Sequence, residues 1–424
     1  MKKVLIVTPN WPPVSCPDLH RVRIALPYFI EFGWEPLILK IDPNEQEGIK
    51  DPQLALTIPK DIRTWQAGCI PRSVTEWIGL RNVGWRSIVH LARLGDRIIE
   101  RERPAAIFFS TTMFPVMAIG RYWQKRYGVP YILDFQDPWL SDYQRAGRPS
   151  VASAKYAVSQ QMAKWLEPFS LRKAAHVITV SSAYVDMLGT RYQWLQEGMM
   201  TVLPFGAAES DFDVLRGLGI QQQQFNTRDG KRHWVYVGRG GDDMAFALRA
   251  FFGGLSKAVA EDAALRQNLR IHFIGTDYAP GSRSRKTVEP LAVAAGVQEM
   301  VIERPDRIPY FEALGCLRDA EALIVPGSDD PGYVASKIYP YVLARKPLLA
   351  IFHEASGVVA FLKKIAAGVV VTFKTNDDVS RVANTIASTW FSQKIAAPPL
   401  DPTAFEPYTA REMTRKLCSL FDSV

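Results

Sequence analysis

Short runs of apolar and β-branched residues alternate with longer amphipathic segments along almost the whole chain. This alternation predicts strands and helices in succession, which is typical of parallel sheets covered by helices on both faces. Strands are predicted in the first half near residues 3–8, 36–41, 106–110, 130–135, 176–181 and 201–204. They are predicted in the second half near residues 234–238, 269–275, 300–303, 322–326, 347–352 and 368–373. Two such sets indicate two Rossmann-like domains in tandem.

The boundary between the two sets lies in a polar, turn-rich stretch, residues 205–233, whose composition predicts a linker or an exposed hinge. We therefore predict an N-terminal domain of residues 1–204 and a C-terminal domain of residues 205–404. A final amphipathic segment, 410–421, is expected to form a helix that crosses back, so that residues 405–424 pack on the first domain.

Composition agrees with an ordinary globular protein. The chain has 424 residues, of which 47% are hydrophobic and 22% charged, so two domains are the default expectation. No apolar run approaches the roughly 20 residues that span a bilayer, and the opening apolar run ends at Thr8-Pro9, as a first strand would. Four scattered cysteines without a CxxC pair predict neither a metal site nor disulfides, and they fit a cytoplasmic location.

The positive charge is concentrated in the first half. Residues 1–205 carry 25 Lys and Arg against 18 Asp and Glu, within a net charge of +8 for the chain. No basic cluster accompanies stacking aromatics in a nucleic-acid-binding motif, so we predict no nucleic-acid partner. An anionic membrane surface or a phosphate-bearing acceptor suits this charge better, which would place the protein peripherally on the inner face of a membrane.

Residues 60–103 do not follow the Rossmann-like pattern. They include Trp65, Trp77 and Trp85 among nine basic and five acidic residues. Tryptophan beside arginine on amphipathic segments is typical of proteins that touch a bilayer surface, so membrane contact is one interpretation and core packing the other. A second candidate for membrane contact is the amphipathic segment 155–173.

Ligands of Rossmann-like domains bind at the carboxyl ends of the strands, so the loops there carry the candidate chemistry. The loop after the first strand has no glycine, which argues against the Gly-x-Gly-x-x-Gly turn of an NAD- or FAD-dependent enzyme. Its proline-rich sequence suits either recognition of a polar acceptor or a rigid connector. The predicted acceptor-binding residues of this loop are Ser15, Asp18, His20 and Arg21.

Two carboxylates, Asp134 and Asp137, end the fourth strand of the first half. Carboxylates at a strand end can bind sugar hydroxyls or act as a base, although one of the two is expected to cap the following turn. We predict that Asp137 is catalytic and that Asp134 binds the acceptor.

The first strand of the second half ends in Gly238-Arg239-Gly240. Glycines at a strand-to-helix turn permit close approach of a ligand, and Arg239 offers a forked cation for a diphosphate. A plain turn is the alternative interpretation.

The segment 329–350 reads as an acidic loop, a short helix and a buried strand. Ser336 is the expected N-cap, and Pro340 falls in the first turn, where its missing N–H breaks no helical bond. Lys337 at the helix start is disfavoured by the helix dipole unless an anion accompanies it, so we predict that Lys337 binds phosphate and that Ser336 beside it belongs to the donor-binding residues. Asp330, in the preceding loop, is the candidate contact for a donor sugar.

Taken together, these segments resemble a glycosyltransferase of the two-domain GT-B fold, of the family 4 type. The resemblance rests on the order of several motifs along the chain. They are the Pro-Pro loop after the first strand, Asp134-Phe135-Gln136-Asp137-Pro138-Trp139, Val202-Leu203-Pro204-Phe205-Gly206, Val237-Gly238-Arg239, and Ser336-Lys337-Ile338-Tyr339 with Lys346-Pro347-Leu348-Leu349-Ala350.

The resemblance implies two Rossmann-like domains that face each other across a cleft. It also implies metal-independent and cofactor-independent transfer of a sugar from a nucleotide donor, typically with retention. In such enzymes the C-terminal domain holds the donor, with an arginine like Arg239 and a nearby lysine on the diphosphate. The N-terminal domain binds the acceptor and often touches the membrane.

The chain departs from the family pattern at four places. Gly332 and Pro340 stand where two glutamates that contact the donor are expected, and no lysine follows Arg239 closely. The first loop lacks its usual glycine pair. Ser110-Thr111-Thr112 replaces a histidine that often follows the third strand.

Three hypotheses follow from the sequence. The first is a glycosyltransferase that acts on a lipid-linked or polysaccharide acceptor in envelope assembly, with Arg239 and Lys337 neutralising the leaving diphosphate. The second, motivated by the missing glutamates, is a catalytically inactive GT-B protein that serves as a scaffold or partner in a glycan-assembly complex. A non-hydrolysing sugar-nucleotide epimerase is the third, and it would need more carboxylate and histidine groups around the sugar.

Overall fold

The computed structural model describes residues 1–46, 48–75, 82–140, 154–277, 284–333, 335–374, 377–392, 396–397 and 400–424. The chain divides into two compact units. Unit 1 comprises residues 1–206 and 410–424, and unit 2 comprises residues 207–409. Within the described residues, no helix combines the length and the apolar character that crossing a membrane requires.

Unit 1 contains a parallel sheet of seven strands in the order β3-β2-β1-β4-β5-β6-β7. The strands are β1 (Lys2–Val7), β2 (Trp34–Ile41), β3 (Arg63–Ala67), β4 (Ala106–Ser110), β5 (Tyr131–Phe135), β6 (His176–Thr179) and β7 (Met200–Val202). The central strands are buried on both faces, which explains their nearly continuous apolar sequences. Strand order reverses between β1 and β4, so the loops after these strands diverge and leave a crevice at this edge.

The sequence pattern missed β3. Its residues, Arg-Thr-Trp-Gln-Ala, alternate between partly buried and exposed positions and carry only two apolar side chains. β3 pairs with β2 alone, because it is the edge of the sheet. An edge strand with one covered face gives a weaker apolar signal than a central strand.

The helices of unit 1 are Leu19–Ala25, Arg72–Thr75, Val83–Glu102, Ala118–Tyr127, Ala154–Leu171, Ser182–Arg191 and Ala410–Asp422. The last of these confirms the predicted C-terminal helix that returns to the first domain. Its Phe421 packs at ring-centroid distances of 6.3 Å from Phe29, 5.3 Å from Trp34 and 5.5 Å from Phe108. The helix therefore completes the aromatic core of unit 1.

Unit 2 contains a parallel sheet of six strands in the order β10-β9-β8-β11-β12-β13. The strands are β8 (Arg232–Val237), β9 (Leu269–Ile274), β10 (Val301–Arg304), β11 (Ala322–Pro326), β12 (Leu348–His353) and β13 (Val369–Phe373). This is the Rossmann order, with the reversal between β8 and β11. The loops that follow β8, β10 and β11 therefore meet at one edge of the sheet.

The helices of unit 2 are Glu209–Gly217, Ala245–Glu261, Ala264–Asn268, Glu289–Ala294, Tyr310–Asp319, Ile338–Leu343, Gly357–Lys364, Val379–Ile386 and Pro402–Phe405. The first lies inside the stretch 205–233, so the prediction of a linker there was wrong. Its Asp211 is buried and accepts a hydrogen bond from the Tyr310 hydroxyl (2.7 Å). A polar composition hid a helix whose few apolar side chains, Phe212 and Leu215, are buried.

Candidate functional site

The end of β8 is fixed by two tyrosines of unit 2. The Tyr341 hydroxyl accepts a hydrogen bond from the Val237 N–H (2.6 Å) and donates one to the Val237 carbonyl (3.1 Å). The Tyr236 hydroxyl donates to the Arg239 carbonyl (2.8 Å). The backbone that carries Arg239 is therefore held in place before any ligand binds.

Arg239 is oriented by a carboxylate four residues further along. Its two terminal nitrogens donate to the two oxygens of Asp243 at 2.9 and 2.6 Å, and its guanidinium carbon lies 4.6 Å from the centre of the Tyr333 ring. Burial alone would lower the pKa of Arg239, but the hydrogen bonds from Arg239 to Asp243 outweigh it and raise the pKa. The arginine remains a cation, and its guanidinium plane is held by Asp243 along one edge and by the Tyr333 ring on one face.

Lys337 lies beside this arginine. Its Nζ is 5.6 Å from the centre of the Tyr236 ring, and a methyl group added at Gly238 would come within 2.4 Å of it. Burial, and then the charges of Arg307 and Arg239, lower the pKa of Lys337 to about 7. None of the carboxylates in the described residues pairs with Lys337, although part of the residue still meets solvent. Lys337 therefore has positively charged neighbours, and its own charge is partly lost near neutral pH.

Arg307 is the site residue that the sequence did not reveal. It follows β10, and its side chain lies against Gly275 at the end of β9, 3.3 Å from where a Cβ would stand. Its charge acts on Lys337, a residue 30 positions away along the chain. An arginine in a short turn after a strand carries no distinguishing local pattern. Only the strand order of unit 2 brings Arg307 to Lys337.

The loop between β11 and the helix Ile338–Leu343 is held by its own polar groups. Asp330 accepts a hydrogen bond from the Gly332 N–H (2.8 Å), and the Ser328 hydroxyl accepts one from the Asp330 N–H (3.0 Å). The Asp243 carbonyl accepts one from the Asp329 N–H (2.8 Å), which ties this loop to the Arg239 loop. One carboxylate oxygen of Asp330 is therefore already engaged in a hydrogen bond within its own turn.

The predicted N-cap at Ser336 was wrong, because Lys337 occupies the N-cap position of the helix Ile338–Leu343 and its side chain makes no capping hydrogen bond. Pro340 lies in the first turn of this helix, as predicted. Gly238 and Gly240 both flank Arg239, and a Cβ at Gly240 would come within 2.4 Å of the Thr287 hydroxyl oxygen. Both glycines permit close approach of their neighbours.

In unit 1, Asp18 joins the loops after β1 and β4. Its carboxylate accepts hydrogen bonds from the Asn10 amide (2.9 and 3.0 Å), from the Thr112 N–H and hydroxyl (3.0 and 3.1 Å) and from the Thr111 hydroxyl (3.3 Å). Asp18 is 2% exposed. The threonines that replace the family histidine are thus partners of Asp18, and this carboxylate holds two loops together.

Arg21 and Asp134 form a fully buried ion pair, with the Arg21 Nε 2.7 Å from an Asp134 oxygen. Arg21 also donates to the Leu203 and Pro204 carbonyls, at 2.7 and 3.3 Å. Burial raises the pKa of Asp134, while Arg21 and hydrogen bonds from Gln136 and Ser110 oppose that rise. Both side chains are occupied by protein partners, so direct contact of either with an acceptor stays a prediction.

Asp137 differs from these buried residues. It is exposed at the end of the β5 segment, yet enough protein surrounds it that burial and the nearby Asp18 carboxylate raise its pKa to about 6. Ser15, in the neighbouring loop, and His20, in the helix Leu19–Ala25, are half-buried, and the His20 Nδ1 lies 3.1 Å from an Arg23 nitrogen. Asp137 is the accessible carboxylate of this group.

No cluster of three or more His, Cys, Asp and Glu residues in the described part of the chain is arranged to hold a metal ion. Residues 54–206 match the family model described as a Glycosyl transferase 4-like domain. None of the curated protein sequences matches the chain.

Solved structures resemble the whole chain. A glycosyltransferase from Rickettsia africae is 14% identical, with 100% of this chain and 98% of that one covered and a TM-score of 0.60. A trehalose 6-phosphate synthase from Burkholderia multivorans is 14% identical, covering 100% and 97%, with a TM-score of 0.63. A TarM mutant from S. aureus, solved with fondaparinux, alpha-GlcNAc-glycerol and UDP, is 10% identical, covering 100% of both chains, with a TM-score of 0.60. The predicted GT-B fold of two Rossmann-like domains is confirmed, and residues 54–206 match the glycosyl transferase 4-like model.

Proposed function

We propose that this chain, a glycosyltransferase by the family match of residues 54–206 and by its GT-B fold, transfers a sugar from a nucleotide-diphosphate sugar to a glycan or lipid-linked acceptor. Unit 2 would bind the donor and unit 1 the acceptor. The related TarM structure holds UDP, which is the class of ligand that we assign to unit 2. Transfer without a metal and with retention of configuration is part of the proposal, and the family resemblance supports it.

One observation carries the proposal. Lys337 lies near Arg307 and Arg239, and burial first and these two charges second lower its pKa to about 7, while no described carboxylate pairs with it. Placing like charges together destabilises the folded protein unless an anion joins them. A diphosphate carries at least two negative charges, which can offset the positive charges of Lys337, Arg239 and Arg307. The arrangement is therefore suited to a ligand that brings its own anion.

Each residue of the donor site has a role in this proposal. Arg239, with its plane fixed by Asp243 and Tyr333, would contact the diphosphate without losing further side-chain entropy. Lys337 and Arg307 would supply the charge that stabilises the leaving nucleoside diphosphate. This electrostatic role is the one that a divalent metal fills in other enzymes.

The sugar contacts are proposed for carboxylates at the edges of the two units. Asp330 would bind a hydroxyl of the donor sugar through the lone pairs that its own turn does not use. Asp137, exposed and with a raised pKa, would bind or deprotonate the acceptor hydroxyl. Asp18, Arg21 and Asp134 would hold the acceptor-side loops in position.

Ligand-induced thermal stabilisation tests the donor site. UDP-, GDP- and ADP-sugars are screened, and saturation at about 100 times the Kd adds about 2.7 kcal/mol to the free energy of unfolding. We expect one base class to raise the Tm. Replacing Arg239, Lys337 or Arg307 by alanine should weaken binding by about tenfold or more, because each removes a charged contact. Arg249→Ala, an exposed arginine of the same unit, is the matched control.

The second candidate function is a catalytically inactive partner in a glycan-assembly complex. Gly332 and Pro340, where the family has glutamates, favour it. Calorimetry with the three nucleoside diphosphates separates the two candidates, since a scaffold that lost its donor site should bind none of them. Absence of binding to all three nucleoside diphosphates supports the inactive partner, and binding of any one of them contradicts it.

A further inference from the structure

The helix Ala154–Leu171 presents two large aromatic side chains to solvent. Trp165 is 72% exposed and Phe169 is 42% exposed. The two are four positions apart, so they lie on the same face of the helix. An exposed tryptophan of this extent projects from the surface instead of lining a groove. Such a pair is costly in water and suggests a surface that is covered when the protein works.

Basic side chains surround these aromatics. The Arg121 guanidinium lies 4.4 Å from the centre of the Phe169 ring and donates to the Phe169 carbonyl (3.3 Å). Arg172, one turn beyond Phe169, lies 5.9 Å from the ring of Trp194, which is itself 37% exposed. We call this surface the aromatic-basic face. It consists of Arg121, Trp165, Phe169, Arg172 and Trp194, together with the exposed Lys125, Lys164 and Lys173, which are adjacent to these residues in sequence or one helical turn away.

The charge of the face is largely uncompensated. Its five cations form no ion pair with any carboxylate that the structure describes. Glu167, the acidic residue between Trp165 and Phe169, is buried and paired with Arg191 (2.7 Å), so it does not neutralise the surface. Asp96 and Glu100 lie 3.7 and 3.8 Å from Arg126, the residue after Lys125, and so pair with an arginine outside the face.

The segment 60–103, which the sequence favoured for membrane contact, has a different character. Arg63 pairs with Glu35 (2.6 Å) and Glu102 (2.9 Å), and Arg86 is buried against Glu45. Trp65 packs against the core of unit 1 and Trp85 is half-buried, while Trp77 lies outside the described residues. The arginines and tryptophans described here therefore form ion pairs and packing contacts within unit 1 and are less available to a membrane surface.

We propose that the aromatic-basic face docks unit 1 on an anionic phospholipid bilayer. Tryptophan and phenylalanine would enter the interfacial region, while the lysine and arginine heads would contact lipid phosphates. Each basic residue near an anionic leaflet strengthens binding about fivefold, and five of them lie here without a described carboxylate partner. Trp165, 72% exposed, can enter a deformable lipid surface without a preformed groove to receive it. This inference does not depend on the donor site.

Vesicle sedimentation tests the face. The full chain is mixed with vesicles of phosphatidylcholine alone, or of phosphatidylcholine with about one part in three of phosphatidylglycerol. We expect binding to the anionic vesicles that weakens at high salt, since charges are screened within about 3 Å at 1 M. Failure of the wild-type chain to bind anionic vesicles would overturn the proposal and leave the face to a protein partner.

Variants locate the contact. The double variant Trp165→Ser with Phe169→Ser should weaken vesicle binding by at least about tenfold, because it removes the apolar contact. Lys164→Glu with Arg172→Glu should weaken binding further, because two charges that attract the anionic lipids are replaced by two that repel them. Val89→Ser, at an exposed apolar position elsewhere on unit 1, is the control and should bind normally. Equal binding by control and face variants would move the membrane contact elsewhere and contradict the proposal.

Fluorescence quenching distinguishes insertion of Trp165 into the bilayer from non-specific adsorption of the protein. The chain has 11 tryptophans, so quenching by brominated phosphatidylglycerol is measured as the difference between wild type and Trp165→Phe. The phenylalanine variant keeps an apolar side chain and should still bind, but the quenched fraction should fall. An unchanged quenched fraction would show that Trp165 does not enter the bilayer. Thermal unfolding of every variant verifies that unit 1 remains folded.

Discussion

Asp243 accepts hydrogen bonds from both terminal nitrogens of Arg239, at 2.9 and 2.6 Å, and so fixes the plane of the guanidinium at the end of β8. The pair is local in sequence, four residues apart, and it sits where three loops of unit 2 meet. An arginine held in this way presents its remaining surface to a ligand in one orientation.

Replacing Asp243 by asparagine should destabilise unit 2. Burial would raise the pKa of Asp243, but hydrogen bonds from Arg239 and Ser328 lower it below its ordinary value of 3.8. The ion pair therefore stabilises the fold above pH 3.8, and that contribution is lost as the pH falls through the lowered pKa. We expect Asp243→Asn to cost about 1–2 kcal/mol at pH 7 in thermal or denaturant unfolding.

The matched control is Asp242→Asn, at the exposed neighbouring position. The difference between Asp243→Asn and wild type should shrink below pH 3.8, where the unfolded chain begins to take up a proton on Asp243, and disappear below the lowered pKa of the folded protein. A difference that stays constant down to pH 2 would mean that the loss is steric and not electrostatic.

Donor binding should depend on pH through Lys337. Its pKa of about 7 in the folded chain lies below the ordinary 10.5. Between pH 7 and pH 10.5 the lysine is therefore protonated in the unfolded chain and neutral in the folded chain. The free energy of unfolding should therefore rise with pH in this window. A bound diphosphate favours the protonated lysine, so affinity for a nucleotide sugar should fall above pH 7, by up to about tenfold per pH unit.

Calorimetry at pH 8 in two buffers of different ionisation enthalpy measures the proton uptake directly. We expect uptake by wild type and by Lys363→Gln, which removes an exposed lysine of the same unit. Lys337→Gln should show no uptake at that pH. Uptake that survives in Lys337→Gln would assign the proton to another group.

The acceptor side should titrate near pH 6. Burial and the Asp18 carboxylate raise the pKa of Asp137 to about 6, so a reaction that needs its anion should slow as the pH falls below that value. Asp137→Asn should lower the transfer rate and remove this acidic limb while nucleotide affinity stays unchanged. Asp186→Asn, an exposed carboxylate of unit 1, should leave the profile intact.

Gly238→Ala should damage the donor site without large changes elsewhere. The new methyl group would lie 2.4 Å from the Lys337 Nζ and 2.6 Å from the Tyr236 hydroxyl, so the lysine must move. We expect nucleotide affinity to fall about tenfold. Gly217→Ala, where no atom lies within 4 Å of the added methyl, is the control and should bind normally.

Phe421→Ala should destabilise unit 1 by about 3–5 kcal/mol, because it leaves a cavity among Phe29, Trp34 and Phe108. Denaturant unfolding followed by fluorescence measures the loss. Ser419→Ala, on the exposed face of the same helix, should change stability by less than about 0.5 kcal/mol. A small effect of Phe421→Ala would mean that the C-terminal helix is dispensable for the core.

The twelve strands that the sequence predicted are all present, because buried parallel strands need apolar residues on both faces. The strand that it missed, β3, and the helix Glu209–Gly217 bury too few side chains to leave such a pattern. The C-terminal helix was predictable from its apolar stripe. Its return to the first domain was predicted as well, but the aromatic side chains that Phe421 contacts were not.

The candidate site divides in the same way. Arg239 and Lys337 stood out because local features were unusual: glycines around an arginine, and a lysine at a helix start. Arg307 and Asp243 did not, since an arginine in a turn or an aspartate before a helix is common. The sequence predicted three acceptor ligands in unit 1, Asp18, Arg21 and Asp134. All three side chains are buried: Arg21 pairs with Asp134, and Asp18 accepts hydrogen bonds from Asn10 and Thr112.

The sequence by itself determined the two Rossmann-like domains, their strand positions and the presence of cations at the strand ends of the second domain. The tertiary structure alone decided which of these charges meet, which are already paired and which face solvent. The reason is physical: apolar periodicity is written along the chain, residue by residue. The environment of a charge depends instead on strand order and on neighbours tens of residues away, as Lys337 and Arg307 show.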